Sequence, residues 1–319
     1  MTLDIIIGNP PYNSDMYLPF ILNLESIYDE YMSFVTPSKW QGKGKEINVR
    51  FRNNILPYMS TIVYYTDCRD IFGLTISNGA SYYLIDKDIH KIKHIINRSI
   101  AQPLFNNEQY REIEGDAILN NIGNDIVKKV KALTTDYISH ISTDRTYWVK
   151  EGIRLEKEEF KGSIKVYGGD TVGEKLLYGY CDRDSIDKHR DDIDRYKVIM
   201  QFKQGHGYFD INTDGTTNGI KPNNIYYPGE ICKNDYMVLY IADTLEECKY
   251  YKSYIDTKFI RFLLFCGCVG ENASNVETWR FIPYQEKYDH IFTDEELYKK
   301  YKLTSDEVEL IEKFIRKRK

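Results

Sequence analysis

No apolar run in the 319-residue sequence approaches the ~20 residues of a membrane-spanning helix. Met1 leads into a strand-like stretch in place of a basic leader with a cleavage site. Both absences predict a cytoplasmic chain with no membrane attachment. Cysteine is sparse, with six residues scattered along the chain. Only Cys266 and Cys268 lie close together, and the paired spacing of a zinc site is missing, which predicts reduced structural thiols and no metal. A positive excess is missing as well: 43 Lys and Arg stand against 48 Asp and Glu, a net charge of −5. Proteins that grip phosphates usually carry a basic surplus, so any nucleic-acid contact must rest on local cations. The run from Lys39 to Lys45 and the pair Arg50 and Arg52 supply them, and placement matters more than the sum. Proline is scarce too, with nine residues, yet two of them are adjacent at Pro10 and Pro11.

Those prolines sit in the stretch Asp4-Ile5-Ile6-Ile7-Gly8-Asn9-Pro10-Pro11-Tyr12. An apolar β-branched run ending in glycine predicts a buried strand that opens into a loop at its carboxyl end, where open α/β sheets hold their ligands. Consecutive prolines fix their own φ and push the preceding residues out of the α region, so Asn9 and Pro10 are expected to be extended. The Asn9 side-chain oxygen and the Pro10 carbonyl then make two preorganised acceptors, matched to the two hydrogens of one amino group. Tyr12 adds a flat face on which a base rotated out of a duplex can stack. Adenine meets these requirements. Its exocyclic amine is a poor nucleophile until both hydrogens are held and the nitrogen lone pair is localised, a task for which a neutral Asn suffices.

At these residues the chain resembles the amino-methylating DNA methyltransferases, whose motif is (Asp/Asn/Ser)-Pro-Pro-(Tyr/Phe/Trp) after a hydrophobic strand. The Asn9-Pro10-Pro11-Tyr12 form, with the downstream pattern, is most similar to the adenine-N6 enzymes of restriction-modification systems. The resemblance implies Asn9, Pro10, Pro11 and Tyr12 as the catalytic set, S-adenosylmethionine as methyl donor and double-stranded DNA as substrate. It also implies a second aromatic that closes on the flipped base from the other side. Residue by residue that role falls on Phe72 in Asp70-Ile71-Phe72, ahead of the alternating strand Ser81 to Ile85; the plain alternative is that Phe72 is a core aromatic.

In chain order, apolar spacing predicts a helix over 14–30, a strand from Tyr31 to Val35, a loop through Lys39 and Trp40, a helix from Asn48 to Leu56, and a strand from Thr61 to Tyr65. Lys39, Lys43 and Lys45 are the candidate phosphate contacts, with a solvated turn as the alternative. From His90 the sheet-like rhythm fades, which places a domain boundary at 104. Residues 108–135 are expected to be helical. Beyond them come short aromatic-rich strands at Tyr147 to Val149, Ile164 to Tyr167, Tyr196 to Ile199 and Ile225 to Tyr227, then a strand from Tyr236 to Ala242 and one long helix from Leu245 to Phe265 capped by Thr244. This half, ending in Phe281-Ile282-Pro283, resembles the target-recognition region of the same enzymes. Thr293 with Glu296 and Thr304 with Glu307 open two closing helices.

The expected fold is thus α/β: a partial Rossmann-like methyltransferase sheet over 1–104, an α+β target-recognition domain over 105–290, and a helical tail over 291–319. One part of the resemblance has no counterpart. The Gly-rich loop that holds the donor is not found ahead of Asn9, and neither Phe265 to Gly270 nor Gly168 to Gly173 has the strand-loop-helix setting such a loop needs. The expectation is therefore an enzyme fragment or subunit completed by a separate donor-binding chain. The alternatives are a catalytically inactive DNA-recognition module derived from such an enzyme, and a protein-interaction domain.

Overall fold

The computed structural model describes residues 2–42, 45–73, 79–113, 118–138, 147–149, 153–168, 178–201, 211–233, 236–268 and 276–318. Its first part is a six-stranded mixed sheet in the order β1-β2-β4-β3-β5-β6. β1 (Leu3–Gly8) pairs in parallel with β2 (Tyr28–Pro37), and helix α1 (Tyr17–Leu24) crosses between them. After α2 (Glu46–Asn54) come β3 (Met59–Tyr65), the short α3 (Arg69–Phe72) and β4 (Ala80–Asp86), which runs antiparallel to both β2 and β3. β5 (Lys93–Arg98) is parallel to β3, and β6 (Asn107–Arg111) closes the sheet antiparallel to β5. The architecture is mixed α/β, and the sheet continues beyond the boundary expected at 104, as far as Arg111.

Strand alternation gives this sheet two unlike faces. One carries Met32, Phe34, Ile62, Tyr83 and Ile85, buried beneath Tyr17, Leu18 and Ile21 of α1 and Phe51 of α2. On the other, Ile5 lies beside Tyr31, Ser33 beside Leu84, and Val35 beside Tyr82, and the large side chains Ile5, Ile7, Tyr31, Tyr82 and Leu84 stand exposed. The expectation of a buried first strand is corrected here: β1 is the outer strand of the sheet, and Ile7 is 78% exposed. A run of β-branched residues signals a strand, and it does not say whether both sides are covered.

The second part contains α4 (Asn121–Leu133), two three-stranded sheets and a helical layer, with α4 in one core with the helices. β7 (Ser163–Tyr167) lies between β8 (Tyr178–Asp182) and β11 (Glu230–Cys232), while β9 (Tyr196–Gln201) lies between β10 (Asn223–Tyr226) and β12 (Tyr236–Ala242). α5 (Leu245–Asp256), α6 (Lys258–Gly267), α7 (Val276–Trp279), α8 (Asp294–Lys300) and α9 (Ser305–Phe314) follow. Leu310, Ile311 and Phe314 of α9 share one core with Phe259, Phe262 and Leu263 of α6, so the closing helices belong to this core.

Several expected elements shift for local reasons. The helix expected over 14–30 is confined to α1, because Asn13–Asp15 forms a separate 3-10 turn and β2 begins at Tyr28. The helix expected over 108–135 begins only at Asn121: residues 107–111 complete the sheet, and Asn120 caps α4 by accepting the Gly123 N–H at 2.8 Å. The long helix from Leu245 to Phe265 is two helices, broken where Thr257 turns extended and accepts the Ile260 N–H. Tyr147 to Val149 is not a strand; Trp148 is a core residue there, its indole N–H donating to the His189 carbonyl at 3.1 Å. All three threonine caps form, but only Thr304 has the reciprocal box, since Glu247 is engaged by the Tyr240 hydroxyl and Glu296 by His290.

Candidate active site

The register of the sheet sets Gly8 beside Phe34, Pro37 beside Ala80, and Ala80 beside Tyr65. The loop after β1, the 3-10 turn Ser38–Gln41 after β2, and α3 after β3 therefore leave the sheet at one edge. Gly79 makes the turn into β4 possible: its φ is +70°, its carbonyl accepts the Ser38 N–H at 3.1 Å, and an added Cβ would lie 2.0 Å from the Tyr65 carbonyl oxygen. Among the described residues no other glycine binds this edge so closely to its neighbouring strand.

Within the loop Pro10 is buried, Tyr12 half-buried, and Asn9 and Pro11 exposed. The Tyr12 hydroxyl donates to Asn9 Oδ1 and approaches the Val35 carbonyl at 3.2 Å. Its ring meets Tyr17 edge-on, with centroids 6.4 Å apart and an interplanar angle of 82°. Burial raises the Tyr12 phenol above its ordinary value, and the nearby Cys68 thiol adds to the effect, so the hydroxyl remains a donor at neutral pH. The expectation that Asn9 presents a free acceptor is thus corrected in one respect: in this conformation Tyr12 occupies it. The Pro10 carbonyl accepts no hydrogen bond from the described residues.

Phe72 ends α3, and Gly73 follows in the left-handed region at φ +64°. The ring is 36% exposed, so the alternative of a core aromatic does not describe it. α3 is placed by Arg69, which sequence reasoning passed over. Its Nε donates to Asp67 at 2.8 Å, and its guanidinium also reaches the Ile211 carbonyl of the second part. Of the expected cations, Lys45 is exposed and pairs with Asp15 Oδ2 at 2.5 Å, just past the loop after β1. Lys39 is half-buried in the turn after β2, with no ammonium partner among the described residues. Lys43 lies outside the described residues. Gln41, also unanticipated, ties this edge to the segment leading into α4 by accepting the Leu119 N–H at 3.0 Å.

This chain resembles solved restriction-modification enzymes. The type IIG restriction endonuclease BpuSI matches with TM-score 0.36 and 8% identity over 98% of this chain and 54% of its own. The type IIL restriction-modification enzyme MmeI, solved with DNA, matches with TM-score 0.38 and 10% identity over 90% of this chain and 45% of its own. The ATP-dependent type ISP enzyme LlaBIII, bound to DNA, matches with TM-score 0.29 and 9% identity over 74% of this chain and 24% of its own. The chain thus spans about half the length of the first two. No protein-family model matches the sequence, and no curated protein does.

Among the described residues, the glycines considered for a donor loop do not supply one. Gly267 ends α6, and a Cβ there would lie 2.4 Å from the Thr278 carbonyl oxygen, so close packing on the α7 segment accounts for it. Gly168 follows β7 against Tyr236; residues 169–173 and 269–270 lie outside the described residues, as do Gly205, His206 and Gly207. No group of three His, Cys, Asp or Glu suited to a metal occurs among the described residues, and none of their helices is long and apolar enough to cross a membrane.

Proposed function

We propose that this chain is the catalytic and target-recognition part of a DNA adenine-N6 methyltransferase of the restriction-modification type, built on a partial Rossmann-like sheet. The observation that carries the reading is the placement of Asn9-Pro10-Pro11-Tyr12 at the carboxyl end of a strand, on the edge that also bears Phe72, Lys39 and Lys45. On this reading an adenine turned out of the duplex slides between Tyr12 and Phe72. Its exocyclic hydrogens are accepted by Asn9 Oδ1 and the Pro10 carbonyl, which localises the nitrogen lone pair for attack. The Tyr12 hydroxyl must first leave Asn9, with the Val35 carbonyl at hand as its remaining partner. S-adenosylmethionine would supply the electrophilic methyl group.

On this reading the donor loop, which is not found among the described residues, is supplied by another unit. Two features support a separate donor-binding chain. Among the described residues no strand pairs with the outer hydrogen-bonding edge of β1, and the exposed face beside it is apolar at Ile5, Ile7, Tyr31 and Leu84. Toward β6 that face carries Arg98 paired with Glu108 at 2.6 Å and His94 stacked on Tyr110 at 4.3 Å. A contiguous exposed apolar patch marks an interaction surface, and an apolar edge strand invites pairing. A strand added in parallel to β1 would bring its own carboxyl-end loop beside Asn9, where such sheets bind ligands. Calorimetric titration tests the division of labour: the isolated chain is expected to bind duplex DNA at low salt and not S-adenosylmethionine. Micromolar binding of S-adenosylmethionine by the chain alone contradicts the split. Failure to bind DNA sinks the reading altogether.

A further inference from the structure

At the opposite end of the sheet from Asn9, α2 and the loop before β5 enclose a cleft of about 870 Å³. Its size falls within the range of small-molecule sites. Val49, Leu56, Ile89 and Ile113 give it an apolar wall. Arg52, Lys91 and Lys93 bring cationic groups to it, with His90 beside them, against one acid, Glu112. That balance is the reverse of the chain's net charge of −5.

Lys93 is the informative member. It opens β5 with only 3% of its surface exposed. Its ammonium donates to the Pro57 carbonyl at 2.8 Å and to the His90 carbonyl, and it has no carboxylate within ion-pair distance among the described residues. Carbonyls satisfy hydrogens without neutralising charge, and a buried charge lacking a counter-ion is costly. Asp86, the nearest acid electrostatically, is occupied: its Oδ1 takes His90 Nε2 at 2.7 Å and the Asp88 N–H at 2.9 Å. Burial accordingly lowers the Lys93 ammonium to about 8. Two of its three hydrogens are committed, and the third remains for a ligand. Lys91, exposed at the rim, has no partner among the described residues.

We propose that this cleft binds a mononucleotide, its phosphate against the Lys93 ammonium and the Lys91 rim and its base against the Leu56, Ile89 and Ile113 wall. The negative charge that Lys93 lacks is then supplied by the ligand. A phosphate alone fills only the cationic part, and a nucleoside alone only the apolar part. The site lies away from the catalytic loop and does not depend on the methyltransferase reading.

Calorimetry with AMP, adenosine and inorganic phosphate tests this on the whole chain. AMP is expected to bind at least tenfold more tightly than either fragment. Lys93→Met, which keeps the apolar stem, should weaken AMP about tenfold or more, the scale of one charge-assisted hydrogen bond. Lys91→Ala, at an exposed position, should weaken it severalfold, and it decides the matter if Lys93→Met does not fold. Asn9→Ala should leave AMP binding unchanged. Equal binding of AMP and adenosine, or AMP binding untouched by both lysine variants, overturns the proposal. So does binding that is lost in Asn9→Ala and retained in the lysine variants, because that result places the nucleotide in the catalytic loop.

Discussion

Replacing Tyr12 with Phe separates the two things Tyr12 does. The ring that would stack on a base stays, while the hydroxyl that holds Asn9 Oδ1 is gone. In the resting chain a base must displace that hydroxyl before its amine can reach Asn9. The displaced hydroxyl keeps the Val35 carbonyl or meets water, so the net cost of breaking the bond is that of an ordinary neutral hydrogen bond, about 1 kcal/mol. Removing it should raise the population of captured base about fivefold, since about 1.4 kcal/mol corresponds to tenfold. Tyr12→Ala also removes stacking worth about 1–3 kcal/mol per base and should reduce capture about five- to 150-fold relative to Tyr12→Phe. Both are read from the binding signal of a duplex whose target adenine stands in a mismatched pair, where unpairing costs least. If Tyr12→Phe gives a signal equal to or below that of the unaltered chain, the hydroxyl is not a stop on Asn9 and the reasoning fails.

Three further perturbations follow from the packing. Gly79→Ala should destabilise the chain by about 3 kcal/mol or more, because the residue must hold φ +70° and its Cβ would meet the Tyr65 carbonyl oxygen; an unchanged urea midpoint contradicts this. Asn121→Ala should cost about 3 kcal/mol in the same assay, since Asn121 accepts from Arg111 at 2.9 Å and donates to the Ile95 carbonyl and Asn107, and its loss leaves buried donors and acceptors unpaired. Asp214 is held at about 2 by the Thr216 hydroxyl and the Arg316 guanidinium. A carboxylate lowered in the folded state contributes stability that is complete above its unfolded value of about 3.9 and is lost as pH falls through about 2. Carbon NMR should place its midpoint near the lower value and move it upward in Arg316→Ala; a midpoint unaffected by Arg316→Ala refutes the clamp.

Much of the first sheet and the starts of the later helices were legible in the sequence because their signals are local. The β-branched run of β1, the alternation of β4 and the threonine caps each specify an element within a few residues. What failed was non-local. Whether Ile5 and Ile7 are covered depends on partners distant in sequence, so β1 looked like an inner strand. Residues 107–111 became a strand because β5 offered an edge to pair with, against a helical spacing that in fact begins at Asn121. Within the site, the pattern Asn-Pro-Pro-Tyr located the loop, but the bond from Tyr12 to Asn9 depends on a side-chain rotamer that no pattern encodes. Arg69 was overlooked for a related reason: its partner, the Ile211 carbonyl, lies 142 residues away.

The central claim is that Asn9 to Tyr12 methylates adenine once a donor-binding chain is supplied. Its most direct test is to express the chain with the products of its flanking genes in a host whose DNA lacks N6-methyladenine, and to map modified bases by single-molecule sequencing. The account predicts N6-methyladenine at one recurring short sequence, dependent on both chains and abolished by Asn9→Ala at unchanged DNA affinity. Methylation that persists in Asn9→Ala, or no methylation with any flanking product although the chain binds DNA, contradicts it.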